Sequence, residues 1–270
     1  HPHGKNQTST RARNRGPLIM KKVFALIAAF IPAFAIAAGA DVHLDKHLTD
    51  LKDTASLQRG AQTFANYCMG CHSLEHARFN RVARDLGIPE EQMKENLIFA
   101  DKQFGELMTI GMHKEDSKRW FGATPPDLTL VARVRRPDWV YTYMRSFYED
   151  PNRPWGVNNA VFKDVGMPHV LAGLQGRQVK GTAQVAVGFD TLTGQEITEE
   201  HEGVLYLAEE GTLSAEEYDK VVYDLVNFLV YMAEPIAVER ERIGWWVLLF
   251  LAIFFVPVYM LNKEYWRDVK

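Results

Sequence analysis

The sequence has little cysteine and little excess charge, and each shortage excludes a class of protein. Only two of its 270 residues are cysteine, too few for a small domain built on disulfides. The net charge is −3, whereas a general nucleic-acid binder is usually strongly basic, so we expect no nucleic-acid partner. Nineteen glycines and twelve prolines are too few for a collagen-like or low-complexity chain. The chain is therefore globular in composition and long enough to bury a core.

The first of two apolar runs lies near the N-terminus. Lys21 and Lys22 precede an apolar stretch, Val23–Ala38, which is followed by small residues of the kind signal peptidase accepts. We therefore predict a signal peptide over residues 20–40, with a retained N-terminal anchor as the alternative. Residues 1–19 are basic and have no apolar period, so we expect either an over-read upstream of a start at Met20 or a disordered leader, and we assign them no function.

The second apolar run, residues 243–261, has 19 residues without a charge. At about 1.5 Å per residue a helix of this length spans roughly 28 Å, close to the thickness of the bilayer hydrocarbon. Tryptophan and tyrosine residues flank it, as expected at a membrane interface. We predict a transmembrane anchor over residues 239–262, with a buried soluble helix as the alternative. The export signal then places residues 41–238 in the bacterial periplasm and residues 263–270 in the cytoplasm.

Both cysteines belong to one motif, Cys68-Met69-Gly70-Cys71-His72, which has the C-x-x-C-H pattern of c-type haem attachment. Two thiols at this spacing can add to the two haem vinyl groups, and the adjacent histidine can then ligate the iron. A thioredoxin-like redox pair, half of a zinc site and a strained disulfide are the alternatives. The export signal in the same chain favours haem, and a single motif predicts one covalently bound haem c.

Two helices are predicted to enclose this motif. Residues Leu57, Gly60, Ala61, Phe64 and Ala65 fall on one helical face before it. Gly60 and Phe64 resemble the first helix of class I cytochromes c, in which a small residue permits close crossing of the last helix. That last helix is predicted over residues 215–233, which carry an apolar stripe and end before a proline.

The sixth ligand of the iron is predicted to be Met167. It lies before a proline in a loop well downstream of the attachment motif, and a thioether is a soft ligand that raises the reduction potential. His169 is the main rival, because it would give bis-histidine ligation. Met108, Met112 and His113 are weaker candidates.

The chain resembles the cytochrome c1 family, the haem subunit of bacterial ubiquinol–cytochrome c reductase. The resemblance covers about residue 41 to the C-terminus. It is carried by NYCMGCHSLEHARFNRVARDLGI (66–88), GATPPDLTLVARVR (122–135), NNAVFKDVGMPHVL (158–171) and the single C-terminal anchor. It implies a mainly α-helical, class I cytochrome c-type domain with loop insertions and one C-terminal transmembrane helix.

The resemblance also implies roles for single residues. Two cysteines form the thioethers, a histidine and a methionine are the axial iron ligands, a PPDL segment lines the haem edge, and an arginine after it meets a haem propionate. The corresponding residues here are Cys68, Cys71, His72, Met167, Pro125, Pro126 and Arg135. Arg133 and Arg136 lie nearby, and Arg135 fits the propionate position best.

The implied task is single-electron transfer from a Rieske iron–sulfur protein to a soluble or membrane-bound cytochrome c, beside cytochrome b in the inner membrane. The chain is then not an enzyme on its own. A free-standing membrane-anchored shuttle or an oxidase subunit is one alternative. A haem enzyme or sensor with an open iron site is another.

Charge is unevenly distributed along the chain. Residues 1–40 carry six bases and no acid, and residues 239–270 carry a net charge of +1. Because the whole chain carries −3, residues 41–238 carry a net charge of −10. Nine acids and one base fall in residues 195–220. This segment is predicted either to be a solvated, flexible insertion or to steer a basic electron carrier. Partial alternation over residues 179–190 predicts a short hairpin beside it.

Overall fold

The computed structural model describes residues 43–189, 191 and 193–268. The predicted leader and signal peptide lie outside the described residues. The helices are α1 (Thr54–Thr63), α2 (Phe79–Asp85), α3 (Glu90–Asn96), α4 (Lys114–Phe121), α5 (Val131–Arg135), α6 (Pro137–Arg145), α7 (Ala172–Gln175), α8 (Ala215–Ala233) and α9 (Ala237–Tyr265). Three antiparallel strand pairs join β1 (Leu74–Arg78) to β2 (Leu107–Met108), β3 (Phe147–Glu149) to β4 (Val157–Asn159), and β5 (Gly176–Phe189) to β6 (Glu196–Glu210). The predicted mainly α-helical fold with a C-terminal apolar helix is confirmed.

The core is built where α1 crosses α8, as predicted. Gly60 lies against α8, where a Cβ atom would come within 2.1 Å of the Asp224 carbonyl oxygen. Phe64 and Phe228 are fully buried, with ring centroids 5.8 Å apart. Helix α8 has the bounds that the sequence predicted, and it begins with a capping box between Ser214 and Glu217. The close crossing fixes α1, which leads directly into the attachment motif.

The hairpin is much longer than the sequence indicated. Strands β5 and β6 pair from Gly176–Glu210 to Phe189–Glu196 and together exceed the short 179–190 hairpin that alternation predicted. Half of the acidic segment is therefore a paired strand, and its end forms the first turn of α8. Backbone pairing with β5 gives this part of the acidic segment a regular structure, and its flexibility stays a prediction.

Helix α9 has no buried residue and is apolar enough to cross a membrane. Its 29 residues include Pro257, which neighbouring groups in a membrane can accommodate. Before the apolar stretch, the carboxylate of Glu234 accepts from Arg133 of α5 at 2.9 Å and from Arg240 of α9 at 2.7 Å. These ion pairs connect the globular domain to the start of the apolar helix.

Candidate haem site

The cysteines lie where α1 ends. A π-helical turn, Phe64–Cys68, follows α1, and the amides of Cys71 and His72 both donate to the Cys68 carbonyl at 3.0 and 2.9 Å. This tight turn keeps both thiols on one short stretch of chain, and both are free. Cys68 is buried and Cys71 is partly exposed, and burial raises the pKa of the Cys68 thiol to about 12.

His72 is held as a neutral imidazole with a defined tautomer. Its Nδ1 lies 2.8 Å from the Pro126 carbonyl oxygen, which can only accept, so Nδ1 carries the proton and Nε2 carries the lone pair. Nε2 makes no hydrogen bond within the described residues. Burial lowers the pKa of His72 and so favours the neutral form. A neutral imidazole whose other nitrogen donates to a carbonyl is the usual state of a metal-bound histidine, and His72 therefore fits an iron ligand.

The PPDL segment is bound directly to the chain that follows His72. The Leu128 amide donates to the Ser73 carbonyl at 3.0 Å, and Asp127 accepts from the amides of Glu75 at 2.7 Å and Thr129 at 2.9 Å. These bonds hold Pro126 beside the histidine. Pro125 is half-buried before it. The sequence pointed to this segment through a resemblance, whereas the structure shows that Asp127 holds it in place.

Met167 packs against the core and contacts a tyrosine. The Tyr143 hydroxyl donates to the Met167 sulfur at 3.4 Å, and both side chains are half-buried. Burial raises the pKa of Tyr143, so the hydroxyl keeps its proton. No hydrogen bond joins His72 or Pro126 to Met167 in the described part of the chain.

Tyr143 belongs to a set of stacked rings, which we call the aromatic ladder: Trp139, Tyr143 and Phe147. The first two rings stack at 4.9 Å and 12°, and the next two meet edge-on at 5.1 Å. The spacing of four residues between these aromatic side chains is the signal in the sequence by which the ladder could have been predicted. The ladder ends on His169, whose ring is parallel to Phe147 at 4.7 Å.

The rival ligands lie in different surroundings. His169 Nε2 bonds to Gln175 at 2.7 Å, and burial lowers the pKa of His169 to about 4. Met108 is buried in the core, Met112 is half-buried, and His113 is exposed at the start of α4.

The three candidate arginines differ in their partners. Arg133 is ion-paired with Glu234, so its guanidinium is already neutralised. Arg135 is exposed, lies over the Trp139 ring at 5.0 Å, and forms no ion pair within the described residues. Arg136 adopts a positive φ of 74° where α5 meets α6.

Comparison with known proteins shows the family of this chain. The model of the Cytochrome C1 family matches residues 45–269. Cytochrome c1 of Allochromatium vinosum is 51% identical over 92% of this chain and 99% of its own length. The ammonia monooxygenase gamma subunit of Nitrosomonas europaea is 42% identical over 93% and 99%. Cytochrome b/c1 of Bradyrhizobium diazoefficiens is 25% identical over 80% of this chain and 34% of its own length.

The family model covers most of the chain, and the Allochromatium protein matches nearly end to end. The exposed apolar helix α9 agrees with a single-pass membrane protein. The chain therefore belongs to the cytochrome c1 family, whose members are c-type cytochromes that carry haem c and transfer electrons.

Proposed function

We propose that this chain holds one haem c through thioethers to Cys68 and Cys71, with His72 and Met167 as the axial ligands of the iron. The haem supplies reversible one-electron transfer. Cys68 and Cys71 would hold the group by adding across its two vinyl bonds; each sulfur would bond to one carbon and each thiol hydrogen would move to the other, so no oxidant would be needed. The observation that carries the proposal is the His72 tautomer, because the Pro126 carbonyl leaves Nε2 free to bind a metal.

The remaining residues position the group and balance its charge. The PPDL segment with Pro125 and Pro126 lines the haem edge, since it is bonded to residues 72–75. Arg135 meets a propionate, because its guanidinium has no carboxylate partner in the described part of the chain, whereas that of Arg133 has one. A planar guanidinium forms two parallel hydrogen bonds with a carboxylate.

Replacing the proposed ligand tests the assignment. Met167→Leu removes the thioether, so we expect a sharply lower reduction potential. Met112→Leu is the matched control, because Met112 is also half-buried and makes no hydrogen bond to the ladder in the described part of the chain. A wild-type potential in Met167→Leu would show that another group ligates the iron.

We place this cytochrome in a ubiquinol–cytochrome c reductase, where it takes electrons from a Rieske iron–sulfur protein and passes them to a cytochrome c. One relative carries cytochrome b and c1 in a single name, which supports cytochrome b as a partner. Quinol chemistry then belongs to the other subunits. Purification from membranes with a haem-stained gel and a subunit inventory tests this. Recovery without cytochrome b and a Rieske protein would favour a free-standing shuttle or an oxidase subunit.

We also propose the topology that the sequence indicates. Residues 20–40 direct export, residues 41–238 lie in the periplasm, residues 239–262 form the anchor, and residues 263–270 face the cytoplasm. Protease added to intact spheroplasts should remove the haem domain. Protection of that domain from the protease would show that the chain has the opposite orientation in the membrane.

The acceptor is a basic protein steered by β6. Glu196, Glu200 and Glu202 are exposed and share one face of that strand, because side chains alternate along it. Charge attraction of this kind accelerates encounter and weakens with salt. We expect reduction of a small basic cytochrome c to slow steeply as salt rises, and to slow at low salt when all three are changed to Gln.

A control with the same change in net charge separates steering from total charge. Glu90, Glu91 and Glu95 lie exposed on α3 and can be changed to Gln together. Their replacement should have a smaller effect on the bimolecular rate. If the two triple variants lowered the bimolecular rate equally, β6 would have no specific role in steering the acceptor.

A further inference from the structure

The aromatic ladder contacts both residues that compete for the sixth position of the iron, and it contacts them differently. Tyr143 donates a hydrogen bond to the Met167 sulfur, and Phe147 stacks on the His169 ring. Met167 and His169 are separated by one proline, so a small change in this loop could exchange them. The neighbouring rings of the ladder therefore contact both competitors.

The Tyr143 ring is held in place by contacts other than the one with Met167. Its ring stacks on Trp139 and meets Phe147, which is 1% exposed, so the ring has little freedom to turn. The hydroxyl makes no other hydrogen bond in the described residues. A hydroxyl held in this way fixes the rotamer of the thioether and withdraws electron density from its sulfur.

The His169 ring is held by two contacts, a hydrogen bond to Gln175 and stacking on Phe147. Gln175 donates its amide nitrogen to the Arg145 carbonyl at 3.2 Å, which fixes the orientation of the amide. The Gln175 oxygen therefore accepts from His169 Nε2, and Nδ1 is left with the lone pair. That Nδ1 is buried and has no hydrogen-bond partner within the described residues. Phe147 covers one face of the imidazole ring.

We propose that the ladder selects the axial ligand, with Tyr143 holding the Met167 sulfur for the iron while Phe147 and Gln175 hold His169 away from it. Tyr143 is a positioning residue, since it acts through Met167. This inference rests on the proposed function, in which Met167 ligates the iron. It adds the reason why the thioether, and not the imidazole two residues later, occupies the sixth position.

The first test is the reduction potential of the full-length holoprotein in detergent. Tyr143→Phe keeps the ring but removes the hydrogen bond, so the sulfur becomes a stronger donor to ferric iron. We expect a lower midpoint potential than in the wild type, with the methionine-to-iron charge-transfer band retained. Tyr141→Phe is the matched control on the same helix, because Tyr141 faces Arg145 and His47 and should leave the potential unchanged.

Tyr143→Leu extends the test, because it also removes the stacking of the ring on Trp139. We expect this variant to weaken the charge-transfer band as well as to lower the potential. Thermal unfolding of each variant separates these effects from loss of the fold. A wild-type potential in both folded Tyr143 variants would overturn the role of Tyr143.

The second test asks whether His169 stays in place. In Met167→Leu we expect a ferrous haem that binds carbon monoxide, because Phe147 and Gln175 still hold the imidazole. A six-coordinate bis-histidine spectrum without carbon monoxide binding would overturn the selection while leaving Met167 as the native ligand. A wild-type potential and spectrum in Met167→Leu would overturn the ligand assignment, and this inference with it.

Discussion

Gly60→Ala should lower the stability of the protein through the helix crossing that supports the C-x-x-C-H turn. Gly60 lies on α1, and its would-be Cβ comes within 2.1 Å of the Asp224 carbonyl oxygen and 2.7 Å of the Phe228 Cβ. Ordinary contact begins near 3.4 Å, so the helices must separate by more than 1 Å to admit one methyl group. The obstructing atoms are backbone atoms of Asp224 and the Cβ of the fully buried Phe228, and none of them can rotate away.

The size of the effect follows from two opposing terms. Overpacking a core costs about 1–3 kcal/mol, and a backbone clash lies at or above the upper end of this range. Alanine is favoured over glycine in a helix by about 1 kcal/mol. We therefore expect the free energy of unfolding to fall by about 2 kcal/mol. Domains are stable by about 5–15 kcal/mol, so the protein should still fold.

Guanidinium unfolding of the detergent-solubilised holoprotein measures this change, with circular dichroism for the helices and Soret absorbance for the haem. Gly173→Ala is the matched control, because Gly173 is helical and its Cβ would meet nothing within 4 Å. We expect that control to be neutral or slightly stabilising. A Gly60→Ala protein as stable as the wild type would refute the reasoning about the crossing.

Three further predictions concern the surroundings of the site. Asp127→Ala removes the acceptor for two backbone amides, and the free energy of unfolding should fall by about 1–3 kcal/mol in denaturant titration. Arg153 donates to the carbonyls of residues 164 and 165 at 2.7 and 3.1 Å, just before Met167 in the chain. Arg153→Ala removes these bonds and should loosen the segment that holds Met167, so ferrous haem should bind carbon monoxide faster than in the wild type, as measured by stopped flow. Burial lowers the pKa of His47 below 6.5, so the unfolded chain binds the extra proton and stability should fall as the pH drops through 6.5. His47→Gln should flatten that slope.

Patterns of local chemistry were readable from the sequence. The C-x-x-C-H motif, the charge-free run before Leu261 and the apolar stripe of α8 each depend on neighbours within a few turns. The close crossing at Gly60 was also predictable, because only a small residue fits there. The hairpin was underestimated, since β6 is ordered by pairing with β5 and not by its own acidic side chains.

By itself, the sequence determined the haem chemistry, the membrane anchor and the two crossing helices, because each is encoded by spacing along a continuous stretch. Only the tertiary structure decided how distant residues meet. It placed the Pro126 carbonyl 54 residues downstream against His72 and thereby set the tautomer. It also brought Tyr143 to Met167 and Phe147 to His169. Such contacts depend on how loops pack across the core, which no local pattern records.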